Sequence, residues 1–364
     1  MDAHDARPGR PGAAIVRACP RCGRPDPLAD PPTLSGAEGR CPRCGLWLVP
    51  RPAVHRASGG ASALPGPILG AMRIGIVGFG LIGGSLARAL HARASGATLV
   101  AWSPSLLGSR RAVEDGVLAD AADTIEAAIR GADIVVLAAP PLASLEILGR
   151  FAGPLRPALL ADATITDVVS TKARLVALAD EAGLPFVGGH PMAGRETTGY
   201  EAADHELFVG RPWVVVPARA ARAEDVARVE WLARAAGANP VRLDAAEHDA
   251  AVAAISHLPL VLAAALVEAV VGTGSGETRP DWGIAKTLTA GGWRDMTRLA
   301  RGDVDMGAGI AATNAGPLAT RLRDVRAVLD RWIADLDAIA AQAQPDAGGV
   351  AARLRDARDR LERG

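Results

Sequence analysis

From Met72 onward the chain alternates short apolar runs with stretches of helical spacing. The runs are Arg73 to Val77, Leu99 to Trp102, Ile134 to Ala138, Leu159 to Ala161, Phe186 to Val187 and Trp213 to Val216. Strands separated by helices predict an α/β fold built on a doubly wound parallel sheet. After about Leu243 the strand signals stop. Long Ala, Leu, Val and Arg stretches with helical period then run to the end, broken near Gly272 to Gly276 and Gln344 to Gly349, which predicts an all-helical domain. Residues 1–71 follow neither pattern. They are rich in Pro, Gly and Arg, and they hold all four cysteines.

Composition narrows the function classes. With 364 residues, 49% of them apolar, the chain can bury a sizeable core. Its 40 basic and 40 acidic side chains cancel, so no global field draws it to nucleic acid or an anionic membrane. Twelve aromatics (seven Trp, four Phe, one Tyr) leave little for a base-stacking platform. The first thirty residues lack a basic start followed by an apolar stretch. The longest apolar run, Leu258 to Val271, is interrupted by Pro259 and Glu268 and falls short of the ~20 residues of a membrane span. The expectation is a soluble, cytoplasmic protein with a small-molecule substrate, no membrane and no specific nucleic-acid partner.

Arg73 to Val77 reads as a first strand, and Gly78-Phe79-Gly80-Leu81-Ile82-Gly83 follows it directly into the helical pattern Ser85 to His91. A GxGxxG placed between strand and helix is a specific signal for a dinucleotide. Gly78 makes the tight turn, Gly80 lets the backbone approach the pyrophosphate, and Gly83 lets helix and strand pack closely. The diphosphate sits over the helix amino terminus, where unpaired N–H groups favour an anion. The second strand ends in Ala101-Trp102-Ser103-Pro104, with no carboxylate for the ribose hydroxyls and with Arg110 and Arg111 a few residues on. Ser103 leaves room for a 2′-phosphate that Arg110 would pair with. The cofactor is therefore NAD(P) with a lean to NADP, unless the two arginines are only solvated helix residues.

Four further passages carry chemistry. They are Asp162-Ala-Thr-Ile-Thr-Asp167-Val-Val-Ser170-Thr-Lys172, Gly188-Gly189-His190-Pro191-Met192-Ala193-Gly194-Arg195-Glu196, Ile255-Ser256-His257-Leu258-Pro259, and Gly291-Gly292-Trp293-Arg294-Asp295-Met296-Thr297-Arg298. With the glycine fingerprint, in this order and at these spacings, residues 72 to 335 resemble the prephenate/arogenate dehydrogenase family of tyrosine biosynthesis. Gly-Gly-His-Pro-Met-Ala-Gly is the most specific element.

The resemblance implies a reaction in which hydride leaves the ring carbon bearing the hydroxyl, the ring carboxylate departs as carbon dioxide, and a phenol remains. It implies that His190 is the base accepting the hydroxyl proton, and that Ser170 bonds the same oxygen or orients the imidazole. Arg298 is expected to grip a substrate carboxylate through its planar fork, held by Asp295. Ser256, His257 and Glu196 are further substrate-binding candidates, each with an ordinary alternative as a helix-start or exposed polar residue. Ser170 has the alternative of a helix cap. Many prephenate-using relatives carry Ser-His-Leu-Pro-His, whereas this chain reads Ser256-His257-Leu258-Pro259-Leu260, which opens dual use with an arogenate lean. The family also implies a homodimer through the helical domain.

Cys19-Pro-Arg-Cys22-Gly23 and Cys41-Pro-Arg-Cys44-Gly45 are two CxxC knuckles separated by eighteen residues, the spacing of a four-thiolate zinc site. A redox pair, free thiols, or translation starting at Met72 are the alternatives. This segment carries nine arginines against five acidic residues. The expected organisation is a zinc-ribbon-like segment over residues 1–49, a flexible linker over 50–71, a dinucleotide-binding Rossmann domain over 72–243, and a helical substrate and dimerisation domain over 244–364. Two rivals stay open. One is another NAD(P)-dependent dehydrogenase of β-hydroxyacid type, which would need a lysine on the helical domain that no motif supplies. The other is a non-enzymatic zinc-ribbon sensor of nucleotide redox state.

Overall fold

A computed structural model describes residues 72–93, 96–273 and 278–363, all within one compact unit, Leu64–Gly364. The cysteine knuckles and the linker lie outside the described residues. The strands are β1 (Arg73–Val77), β2 (Thr98–Trp102), β3 (Asp120–Ala121), β4 (Ile134–Leu137), β5 (Thr164–Asp167), β6 (Phe186–Pro191), β7 (Pro212–Pro217) and β8 (Asn239–Arg242). They form one sheet in the order β3-β2-β1-β4-β5-β6-β7-β8. Strands β1 to β6 are parallel, whereas β7 runs antiparallel to β6 and parallel to β8. The expected doubly wound sheet is therefore present, extended by two strands of opposite sense.

The helices of this half are α1 (Leu81–Ala92), α2 (Leu107–Glu114), α3 (Ile125–Ile129), α4 (Pro141–Arg150), α5 (Ala173–Ala182) and α6 (Ala223–Ala235). Successive strand residues feed opposite faces of the sheet. Ile74, Ile76, Ile134 and Val136 pack on the face that also buries Leu86, Leu90 and Leu232. Val77, Val135, Leu137 and Ile165 pack on the other, with Leu148, Phe151 and Leu175. Both faces are covered, which explains why these strands read as apolar runs.

The run Leu159 to Ala161 is not a strand. A 3-10 turn at Arg156–Ala158, nucleated around Pro157, precedes it, and the strand is Thr164–Asp167 instead. That strand is wholly buried despite two Thr and an Asp, and two of these three find side-chain partners: Thr164 Oγ1 donates to Asp225 Oδ1 at 2.6 Å, and Asp167 accepts several bonds, while the Thr166 hydroxyl has none among the described residues. Apolarity alone could not reveal it.

The remaining helices are α7 (Ala245–Val252), α8 (Leu258–Val271), α9 (Trp282–Thr287), α10 (Gly291–Thr297), α11 (Val304–Thr313), α12 (Ala315–Ala340) and α13 (Gly348–Arg363). A π-helical turn, Ala253–His257, joins α7 to α8. Pro259 has no N–H to donate within this helix, and the widened turn accommodates that gap. Helices α7 and α8 thus continue one another over Ala245–Val271, 27 residues, which by length and composition are enough to cross a membrane. The expectation of too short an apolar run is corrected in that respect. In a single chain only 22% of its most apolar window is buried.

Candidate functional site

The parallel strands bring their carboxyl ends to one edge, and the glycine fingerprint opens there. Gly78 has φ +96, and a Cβ on it would stand 2.6 Å from the Ala138 backbone. A Cβ on Gly83 would stand 2.6 Å from the Gly78 carbonyl oxygen, so both positions need glycine for packing. Gly80 differs: no atom lies within 4 Å of the place its Cβ would take. Helix α1 starts at Leu81 with no side-chain cap and no acidic residue in its first turn, leaving its N–H groups facing that open approach. These donors and that space fit a diphosphate. Phe79 is buried against Tyr200 with ring centroids 5.4 Å apart, and Leu81 and Ile82 pack half-buried on the core, so these three shape the loop.

Ser103 stands at the end of β2, buried, and its Oγ has no hydrogen-bond partner. Arg110 does not meet it. Its ion pair is a long, exposed one with Asp123 at 3.8 Å, while Arg111 is held by Glu114 and Asp115.

His190 is the fifth residue of β6 and 7% exposed. Its Nδ1 lies 2.8 Å from His248 Nε2, and His248 Nδ1 lies 2.8 Å from Asp249 Oδ1. Asp249 accepts in turn from the backbone N–H of Lys172 at 2.7 Å and of Ala173 at 2.9 Å, the amino terminus of α5. Helix α5 is therefore capped by a carboxylate from α7, and Ser170 is not its cap. Burial would raise the Asp249 carboxyl, but the bonds from His248 and the α5 backbone outweigh it and hold it below its usual range. Burial first, and then the repulsion between a protonated His190 and neighbouring His248, Lys172 and His257, pushes His190 well below the ordinary imidazole range. His190 is thus neutral at neutral pH.

The Gly188-Gly189 pair has a packing reason. Asp167 and Lys172 form a fully buried ion pair beneath it, with burial pulling Lys172 down and Asp167 up against each other's charge. Gly189 N donates to Asp167 Oδ1 at 2.8 Å. A Cβ on Gly188 would come within 2.9 Å of the Lys172 side chain, and one on Gly189 would strike the Asp167 carbonyl oxygen. The glycines let β6 lie against this pair and so place His190.

Several expected relations change. Ser170 is half-buried and its hydroxyl makes no hydrogen bond among the described residues; His248, not Ser170, orients the imidazole. Arg298 forms an ion pair with Glu196, and Asp295, exposed, forms none among the described residues, so Glu196 rather than Asp295 holds this arginine. Ser256 is exposed without a hydrogen bond among the described residues. His257 is fully buried, with Nδ1 3.0 Å from Asn314 Nδ2, which also donates to the Asp249 carbonyl at 2.8 Å. Its Nε2 faces the Ser170 backbone without a well-formed bond, and burial lowers its pKa to about 4. His257 is therefore held through Nδ1 alone, its Nε2 unpartnered, where the helical domain packs on the rim of the site near Ser170. Thr171 and Thr313, 2.8 Å apart through their hydroxyls, make a second such link.

Sequence reading missed His248, Asp249 and Asn314. Two signals pointed to the first pair. Asp244-Ala245-Ala246-Glu247 is a capping box, confirmed by Glu247 N to Asp244 Oδ1 at 2.7 Å, and it fixes His248 and Asp249 in the opening turns of α7. The chain also has only seven histidines, three of which gather here. Asn314 carried no local signal.

Comparison with known proteins agrees with this geometry. The family profile "Prephenate dehydrogenase, nucleotide-binding domain" matches residues 86–241, and "Prephenate dehydrogenase, dimerization domain" matches residues 244–346. Prephenate dehydrogenase of Bacillus subtilis is 32% identical over 268 residues, covering 72% of this chain and 68% of that protein. Cyclohexadienyl dehydrogenase of Zymomonas mobilis is 33% identical, covering 72% and 85%. The crystal structure of Synechocystis arogenate dehydrogenase matches with a TM-score of 0.61 at 32% identity, covering 80% of this chain and all of that one. On its fold, its site and these likenesses, the chain belongs to the prephenate dehydrogenase family of NAD(P)-dependent oxidoreductases.

Proposed function

We propose that this protein oxidatively decarboxylates prephenate or arogenate, with His190 as the base and Arg298 as the carboxylate clamp. The observation that carries the reading is a buried, neutral imidazole on the same sheet edge as an open glycine fingerprint. A nicotinamide held at this loop would supply the acceptor for the hydride that leaves the ring carbon bearing the hydroxyl. The chain has the rest to do. Gly78, Gly80, Gly83 and the α1 amino terminus hold the diphosphate. His190 takes the hydroxyl proton through Nε2; a weak base suffices, because the hydroxyl turns acidic as hydride departs and aromatisation drives the step. Ser170, half-buried and with its hydroxyl uncommitted among the described residues, bonds the same oxygen in this reading. Arg298 exchanges Glu196 for a substrate carboxylate.

The finer assignments follow from the same site. Ser103, buried with an unpartnered hydroxyl where a ribose-binding carboxylate would stand, supports NADP over NAD. Leu260, half-buried in the position of a polar residue in many prephenate users, supports dual use with an arogenate lean. The exposed apolar length of α7 and α8 supports a homodimer that buries it through the helical domain, and a cytoplasmic place for the protein rests on its balanced charge and composition. The cysteine spacing supports a structural zinc ion held by Cys19, Cys22, Cys41 and Cys44, dispensable for chemistry because every catalytic motif begins after Met72.

The test is to mix the full chain with each substrate and each nicotinamide and follow reduced cofactor and carbon dioxide together, beside the His190→Asn variant. His190→Asn is expected to keep cofactor binding and lose about two to four decades of kcat. Near-wild-type turnover in that variant removes His190 from the role of base. Metal analysis of freshly purified protein should find one zinc per chain.

A further inference from the structure

We infer that His248 and Asp249 are positioning residues of a proton relay, fixing the His190 tautomer and drawing its proton inward after each transfer. The inference rests on His190 being the base. Asp249 is a carboxylate that already accepts two backbone N–H bonds from α5, so toward His248 it acts as an acceptor. His248 must then carry its proton on Nδ1, 2.8 Å away, which leaves Nε2 as a lone pair. That lone pair, 2.8 Å from His190 Nδ1, requires the His190 proton to be on Nδ1. The His190 Nε2 lone pair is consequently left free for substrate. One carboxylate, clamped at a helix amino terminus, thus sets the protonation pattern of two imidazoles in series.

The same chain gives the accepted proton somewhere to go. When the substrate O–H bond breaks, its proton joins His190 Nε2, the Nδ1 proton of His190 moves to His248 Nε2, and the electron pair of the O–H bond stays with the substrate oxygen. The positive charge then sits on His248, against the Asp249 carboxylate, instead of on His190. His190 is a poor place to leave it. The titratable groups around it are His248, His257 and Asp249 from the helical domain and the buried Lys172 paired with Asp167, and no carboxylate bonds His190 itself. Burial adds to their effect. Displacing the charge by one imidazole toward a carboxylate restores the strength of a base that its surroundings weaken.

The substitution His248→Gln tests this with little change of shape, since a glutamine amide accepts from His190 Nδ1 and donates to Asp249 but cannot carry the proton. The expected result is cofactor binding unchanged, a kcat plateau lower by about tenfold or more, and an acidic limb of the kcat profile moved to lower pH. The limb moves because His190, remote from Asp249, becomes the only site for the proton. A wild-type plateau overturns the relay, and so does a lowered plateau with the limb in place, which marks a structural role alone. If His248→Gln fails to fold, judged by lost cofactor binding, Asp249→Asn decides. An asparagine keeps its amide oxygen toward His248 and the Lys172 N–H, which share Oδ1, but brings no negative charge to a protonated His248, so kcat should fall by about tenfold or more; a loss below tenfold overturns the inference. His190→Asn serves as the reference. Turnover surviving in that variant removes the base assignment itself, whereas an inactive His190→Asn beside an unaltered His248→Gln removes only the relay.

Discussion

Arg298, at the start of a 3-10 turn in the helical domain, is ion-paired with Glu196, which lies six residues beyond His190 on the loop leaving β6. The pair is partly exposed, with 58% of the arginine side chain and 37% of the glutamate side chain accessible, so water screens it and its net strength is small. A substrate carboxylate competes for the same fork. Arg298→Ala should therefore raise the substrate KM by about tenfold to a hundredfold, the scale of a charged hydrogen bond. Glu196→Gln should lower KM, because the clamp no longer has an internal occupant. Steady-state kinetics at fixed cofactor reads both, and a Glu196→Gln enzyme with raised KM would show that the glutamate helps binding instead of competing.

Cofactor choice turns on Ser103. Placing a carboxylate there by Ser103→Asp would repel a 2′-phosphate and accept from ribose hydroxyls, so preference should move toward NAD by roughly tenfold or more. The ratio of kcat/KM for the two cofactors in wild type and variant measures it. A wild type that already favours NAD strongly would refute the NADP lean.

Leu260 bears on the substrate. A Cβ built on Gly307 would touch it at 3.7 Å, so the side chain packs against α11. Leu260→His should raise kcat/KM for prephenate relative to arogenate by an amount on the order of 1–3 kcal/mol if a polar contact at this position reads the keto acid. An unchanged ratio assigns recognition to other groups.

The buried histidines make stability depend on pH. His257 titrates near 4 in the fold against 6.5 in a free chain, so between these values the unfolded state binds the extra proton. Its contribution is fully present above about pH 6.5 and is lost as pH falls toward 4, to a total of about 3 kcal/mol. His190, lowered for the same reason of burial, acts in the same direction. Asp249, held below its usual range, adds its loss under about pH 4. Unfolding free energy measured from pH 7 to 4.5 should therefore drop, and should drop less in His257→Gln. An equal drop in both proteins would place the effect elsewhere.

Much of the site was legible as local chemistry. Gly78, Gly80 and Gly83 announced themselves because the backbone conformations and close approaches they permit are properties of a few consecutive residues. The strands buried on both faces were legible as apolar runs for the same reason, while Thr164–Asp167 was not, since its burial depends on partners such as Asp225 that are distant in sequence.

What the sequence by itself determined was the alternating α/β order, the dinucleotide loop and the set of residue types from which the chemistry is drawn. Each follows from period, turn chemistry and composition. Only the tertiary structure decided which of those residues meet. It joined Arg298 to Glu196 instead of Asp295, committed His257 to Asn314, and put His248 and Asp249 behind His190 across 58 residues of chain. Hydrogen bonds act over about 3 Å, and spacing along a chain does not say which distant groups will come that close once two domains have packed.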